Sequence, residues 1–185
     1  ASDGLISIVN SLRFSTFDGM SWRSVGLGNI TPSYALELAP DSILICHSNG
    51  ISISEFDEYN NLRSFVPIAE FVNKEIIGVY PFGNNLIVYN TNEIFYCSRT
   101  FQVLNSFKST SVRSCHMLGE TLYFVNGDKG IYTFDGDQFL PYLAIEQFED
   151  VNYTHILKFQ ETTYLVTDTK GIFEIKNNII SDQVY

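Results

Sequence analysis

Two twenty-residue stretches of this chain align without a gap. ETLYFVNGDKGIYTFDGDQF runs from Glu120 and ETTYLVTDTKGIFEIKNNII runs from Glu161, at a constant offset of 41 residues. Unrelated short segments rarely hold register over such a length, so the two stretches read as copies of one structural unit. Self-similarity at a fixed period constrains the fold strongly. Each copy is too small to bury its apolar face alone and must stack on a neighbouring copy.

The period extends over the whole chain. Aligned on the turn before one recurring strand, the anchors are Arg13, Gly50, Glu93, Gly130 and Gly171, spaced 37, 43, 37 and 41 residues apart. Before each anchor lies a short β-branched or aromatic run (ISIV, ILICHS, LIVYN, LYFVN, YLVTD). After each lies another (FSTFD, ISISEF, IFYCS, IYTFD, IFEIK). A tight turn and a further strand follow: SWRSV, LRSFV, QVLNSF, QFLPY and IISDQVY. Units two to five also carry an earlier strand, SYALELA, IIGVYPF, VRSCHML or THILKF. Apolar residues at helical spacing with caps are almost absent, and aromatic residues make up 15% of the chain, which suits pleated surfaces.

Four antiparallel strands in roughly 40 residues are one blade of a β-propeller. The expected fold class is therefore all-β, with about five blades, near residues 1–28, 29–70, 71–108, 109–147 and 148–185. The motif T-F-D-G, at 16–19 and 133–136, is the hairpin between the third and outermost strands. Glycine supplies the positive φ that such a hairpin needs, which makes Asp18 and Asp135 turn residues rather than catalytic carboxylates.

The first unit shows only three strands and lacks its innermost one. The chain is thus either part of a larger propeller or a five-bladed ring with an incomplete blade. The strand LISIV (Leu5 to Val9) is expected to be an unprotected edge, without Lys or Pro to blunt it. Ile172, Phe173 and Ile175 are expected to pack on a following blade. Both surfaces predict association, with further blades of the parent chain or with another copy.

The repeat wording resembles a known family. GIYTFDGDQFLPY and FSTFDGMSWRSV are similar to the G-[LI]-x-x-[FY]-D-G-x-x-[FW] segment of regulator-propeller repeats, with Trp22 at the family's Trp position, and SVRSCHML (Ser111 to Leu118) resembles their S-x-V-R-S opening strand. The second strand departs from the family's Trp-rich wording. Such repeats form the sensor region of bacterial hybrid two-component proteins and of related regulators carrying a triple-tyrosine domain and a DNA-binding module. The resemblance implies a non-enzymatic sensor module that binds a ligand or a protein, lies in the periplasm and has its output domain outside these 185 residues. The alternative is a propeller enzyme or lectin acting on polysaccharide.

Other function classes are disfavoured by charge and motif. Twenty-one acidic against 11 basic residues give a net charge of −10, which repels a phosphate backbone and an anionic membrane surface. No apolar run approaches the roughly 20 residues needed to span a bilayer, so no direct membrane insertion is expected. Cys46, Cys97 and Cys115 lack metal or paired spacing and read as buried strand residues. NGDKG (126–130) lacks phosphate-loop spacing, and EQFEDVNY (146–153) lacks the alternating ligands of a calcium loop.

The candidate ligand-binding residues are His116, His155, Trp22 and Tyr142. His116 and His155 fall in the innermost strands of adjacent blades, two repeat positions apart and with the same strand parity. They could face one lining and suit a metal or an anion, or be two unrelated imidazoles. No third ligand type clusters beside them in the repeat frame, so no metal, cofactor or catalytic residue is assigned. Trp22, Phe139 and Tyr142 could stack on sugar rings or serve as hairpin packing, and a small carbohydrate or other periplasmic ligand is the expected partner.

Overall fold

The computed structural model describes residues 6–10, 13–17, 20–28, 30–39, 42–59, 61–109, 111–126, 130–144, 153–160, 162–176 and 179–183. Nineteen strands occur among them. The first sheet holds β1 (Ile6–Val9), β2 (Arg13–Phe17) and β3 (Trp22–Gly26), in that order. The second holds β4 (Pro32–Ala39), β5 (Ser42–His47), β6 (Gly50–Phe56) and β7 (Leu62–Pro67). The third holds β8 (Gly78–Phe82), β9 (Asn85–Tyr89), β10 (Glu93–Ser98) and β11 (Val103–Lys108). The fourth holds β12 (Val112–Leu118), β13 (Thr121–Asn126), β14 (Gly130–Phe134) and β15 (Phe139–Ala144). The fifth holds β16 (Tyr153–Phe159), β17 (Thr162–Thr167), β18 (Ile172–Lys176) and β19 (Ile179–Gln183). Each sheet is a meander in sequence order, and the first has three strands, as its missing opening strand implied. One 3-10 turn (Ala69–Phe71) joins the second sheet to the third.

The burial pattern explains the wording of each strand. In β9, Leu86, Ile87 and Val88 are all fully buried, so both faces of the strand are shielded from water and successive positions are all apolar. The last strand of the third sheet, β11, is mostly exposed, and it reads VLNSFK.

The chain forms two compact units, residues 1–90 with 95–105 and residues 91–94 with 106–185. In the first, Phe14, Leu27 and Ile45 form one cluster, with Phe14 edge-on to Phe65 at 5.4 Å. Leu44, Ile51, Phe71, Val79, Leu86 and Phe95 belong to a second cluster, where Phe71 meets Phe95 edge-to-face. In the second unit, Val125, Ile131 and Leu143 of the fourth sheet pack with Ile156, Leu165, Phe173 and Ile175 of the fifth. Burying side chains of this size contributes roughly 1.5–3 kcal/mol each.

That last cluster corrects one expectation. Phe173 and Ile175 pack against the preceding sheet, not a following one. Side chains alternate along a strand, so Ile172 lies on the opposite face from Phe173 and is half-buried. At the other end, β1 pairs with β2 alone and is the edge of its sheet; Leu5 lies outside the described residues.

Two turn features follow from residue chemistry. Gly50 opens β6 at φ +137°, with the carbonyl oxygen of Phe71 2.4 Å from where a Cβ would stand. Only glycine lets the 68–73 connection lie this close. The hairpins before the outermost strands repeat a side-chain device. Asp135 Oδ1 accepts the amides of Asp137 and Gln138, both at 2.9 Å, and Gly136 takes φ +106°. Asp57 Oδ1 accepts the amides of Tyr59 and Asn61, and Ser98 Oγ accepts that of Gln102. These bonds hold the Asp57 and Asp135 carboxyls below the usual carboxylate range. Asp135 is a turn residue, as read from sequence. Asp18 and Gly19 lie outside the described residues, as do residues 127–129 of the NGDKG turn and residues 146–152 of the acidic connection.

Candidate functional site

The first strands of the fourth and fifth sheets carry the two candidate histidines. Each of these strands has a register shift at the same repeat position, between Val112 and Ser114 in β12 and between Tyr153 and His155 in β16. The first strand of the second sheet shifts at the equivalent place, between Pro32 and Tyr34. A bulge re-aims the side chains that follow it. Tyr34, Ser114 and His155 stand just after the bulge in their sheets, and His116 stands two residues further along.

The alternation continues from Ser114 to His116. His116 Nε2 lies 2.9 Å from Ser114 Oγ. The His116 and His155 rings are 5.2 Å apart and tilted by 47°. The same-parity inference therefore holds: adjacent sheets bring the two imidazoles together. His155 is exposed and His116 half-buried.

A third candidate joins the same face. His116 pairs across the ladder with Tyr123, and Tyr123 meets Tyr142 edge-on with centroids 5.1 Å apart. Desolvation, then the charge and hydrogen bond of Tyr123, push the Tyr142 hydroxyl up to about 12. His155, His116, Tyr123 and Tyr142 thus form a row of polar rings. Sequence reasoning missed Tyr123 and Ser114. The signal for both was available, since Ser114 occupies the repeat position of His155 and Tyr123 that of Tyr164.

The other aromatic candidates lie elsewhere. Trp22 is 53% exposed and stacks on its cross-strand neighbour Phe17 at 5.0 Å, so its ring is engaged as hairpin packing in the first unit. Phe139 packs on Phe107 and Phe134, each at 4.8 Å.

The third histidine, His47, was not singled out from sequence. It is buried, its Nδ1 accepts the Asn49 amide at 3.2 Å, and its Nε2 lies 3.0 Å from Ser52 Oγ. An Nδ1 that accepts an amide carries no proton, so Nε2–H donates to Ser52. Burial lowers the affinity of this imidazole for a second proton. Cys46, Cys97 and Cys115 are buried free thiols. Desolvation pushes Cys46 and Cys97 up to about 12 and raises Cys115 as well, which suppresses their reactivity.

Chemically, the row offers two imidazoles, a serine hydroxyl and two phenols, all able to donate or accept hydrogen bonds. Among the described residues no three His, Cys, Asp or Glu side chains converge as metal ligands. No helix among them is long and apolar enough to cross a membrane.

No protein family and no curated protein matches the chain by sequence. Solved structures do match by fold. One is assigned as the extracellular domain of the one component system BT4673 from B. thetaiotaomicron, at a TM-score of 0.72 and 15% identity, covering 98% of this chain and 26% of that one. Another is assigned as the extracellular domain of the hybrid two component system BT3049 of the same organism, at 0.65 and 15%, covering 95% and 25%. A third is virginiamycin B lyase from Staphylococcus aureus, at 0.61 and 18%, covering 91% and 61%. The chain thus spans about a quarter of the two regulator domains. The fold is that of β-propeller sheets, of the kind found in extracellular domains of bacterial one- and two-component systems.

Proposed function

We propose that this chain is a non-enzymatic sensor segment of a bacterial transmembrane signalling or transcriptional regulator, lying in the periplasm. It binds a ligand or a protein and relays that state to an output domain elsewhere. The observation that carries the reading is the fold match over 98% of the chain to a regulator's extracellular domain, at a TM-score of 0.72. The T-F-D-G repeat wording supports it independently. The row His155–His116–Tyr123–Tyr142 is the binding surface we favour, because its rings and hydroxyls suit a small polar ligand such as a carbohydrate. Rigid sheets hold these groups in fixed register, which suits recognition coupled to a distant element.

A second reading, an enzyme or lectin acting on polysaccharide, draws on the fold match to a lyase and on the contact between Ser114 and His116. One experiment separates the two. The chain is titrated calorimetrically with a panel of oligosaccharides, and each mixture is then analysed for products. The sensor reading expects binding without product, weakened by His155→Ala and by Tyr142→Phe. Product formation that His116→Ala abolishes would establish the second reading and reject the first. A reporter active only outside the cytoplasm, fused to the intact parent protein, tests location; a silent reporter counts against the periplasm.

A further inference from the structure

The five sheets share one frame, and that frame exposes a surface. The residue directly after each anchor is Phe14, Ile51, Ile94, Ile131 and Ile172. The first four are 2%, 1%, 1% and 1% exposed, whereas Ile172 is only half-buried. Its neighbours behave alike. In the fourth sheet, Leu118, Tyr123, Val125 and Ile131 receive the apolar face of the fifth, built from Ile156, Leu165, Phe173 and Ile175. At the offset of 41, the fifth sheet carries Phe159, Tyr164, Val166 and Ile172. These residues are as apolar as their counterparts and stand in the same register. Phe159 is nevertheless 64% exposed, and Leu157 beside it 39%.

We infer that this face of the fifth sheet is the seat of a sixth sheet of the same repeat, following in the same polypeptide. The inference does not depend on whether the segment senses a ligand. A surface that repeats a filled interface residue for residue calls for the same occupant: a four-stranded sheet presenting Ile, Leu or Phe at the positions of Ile156, Leu165, Phe173 and Ile175. A second copy of the chain fits less well. The corresponding face of its first sheet carries Ser15 and Phe17 in the places of Phe173 and Ile175. Ser15 Oγ lies 2.8 Å from Ser24 Oγ there. Docking that face would bury a hydroxyl pair against Phe159, where four aliphatic or aromatic side chains fit. Its Phe17 is also already stacked on Trp22.

The test uses thiol reactivity, because the three native cysteines are buried. Phe159→Cys places one accessible thiol on the face. Its rate of reaction with a maleimide is measured in the 185-residue chain. It is measured again in the same chain with a second, unaltered copy of residues 148–185 joined after Tyr185. The expected result is fast labelling in the first protein and labelling slowed by at least about tenfold in the second. Leu165→Asp in the appended copy restores the fast rate. A lone sheet of a repeat protein has no core of its own, so folding of the appended copy depends on docking. An appended copy that stays unfolded, by amide exchange, therefore overturns the inference, as does one that folds and leaves the thiol reactive. Slow labelling of the unextended chain that speeds on dilution would place a second copy of the chain on this face and overturn it too.

Discussion

Gly50→Ala should be among the most damaging single-methyl changes in the chain. The added Cβ would meet the Phe71 carbonyl oxygen at 2.4 Å, whereas real Cβ contacts stay beyond 3.0 Å, so that oxygen must retreat by at least about 0.6 Å. The retreat has consequences on both sides. Phe71 O accepts the Lys74 amide at 3.1 Å, and the Asn73 amide donates to Asn49 O at 2.8 Å. The Phe71 ring is fully buried against Phe95, with the Lys74 ammonium 4.2 Å from the centre of the Phe95 ring. A non-glycine residue held in this backbone region costs about 1–3 kcal/mol, and weakening one backbone hydrogen bond adds about 1 kcal/mol. The sum, about 2–4 kcal/mol, corresponds to a drop in Tm of about 5–15 °C for a chain of this size. Gly28→Ala is the control, since Gly28 also has positive φ (+61°) but nothing lies within 4 Å of its would-be Cβ. Thermal melting followed by circular dichroism reads both variants. If Gly50→Ala loses no more stability than Gly28→Ala, the close approach of the 68–73 connection does not constrain the folded chain and the reasoning fails.

Leu165→Ala, fully buried between the fourth and fifth sheets, should cost about 2–5 kcal/mol in a urea titration. Stability should also fall on acidification. The unfolded chain protonates His47 near pH 6.5 while burial keeps the folded imidazole neutral to lower pH, so stability is lost as pH falls from 6.5 to the folded value, by at most about 1.4 kcal/mol per pH unit. His47→Gln should flatten that part of the profile in denaturant titrations between pH 7.5 and 5.5. Ultraviolet titration should show the Tyr142 phenol ionising near 12, and Tyr123→Phe should bring it back toward the ordinary tyrosine value. The three native thiols should resist a disulfide reagent in the folded chain and react together once it is unfolded.

How far the sequence could be read depended on whether the repeat carried the signal. Strand order, the three-stranded first sheet and the proximity of His116 and His155 all follow from one frame, because position in the frame fixes which face a side chain takes. Asp135 could be assigned to its turn because Asp-Gly has a local backbone preference. The reading failed where two faces had to be told apart within one strand. Phe173 and Ile175 read with Ile172 as one apolar patch, although alternation sends them to the opposite side from Ile172. His47 gave no signal, since its burial depends on Asn49 and Ser52 arriving through a turn that no periodicity marks. The engagement of Trp22 by Phe17 depends on the hairpin register, which the repeat wording leaves open.

The central claim is that five copies of one unit each fold as a separate sheet in a propeller-type series. Peptide-resolved hydrogen exchange tests it most directly, because protection should follow the repeat rather than the chain. The account predicts slow exchange in the interior strands β2, β5 with β6, β9 with β10, β13 with β14, and β17 with β18. It predicts faster exchange in the last strand of each sheet, β3, β7, β11, β15 and β19, recurring about every 40 residues. Protection without that recurrence, or last strands as slow as interior ones, would contradict it.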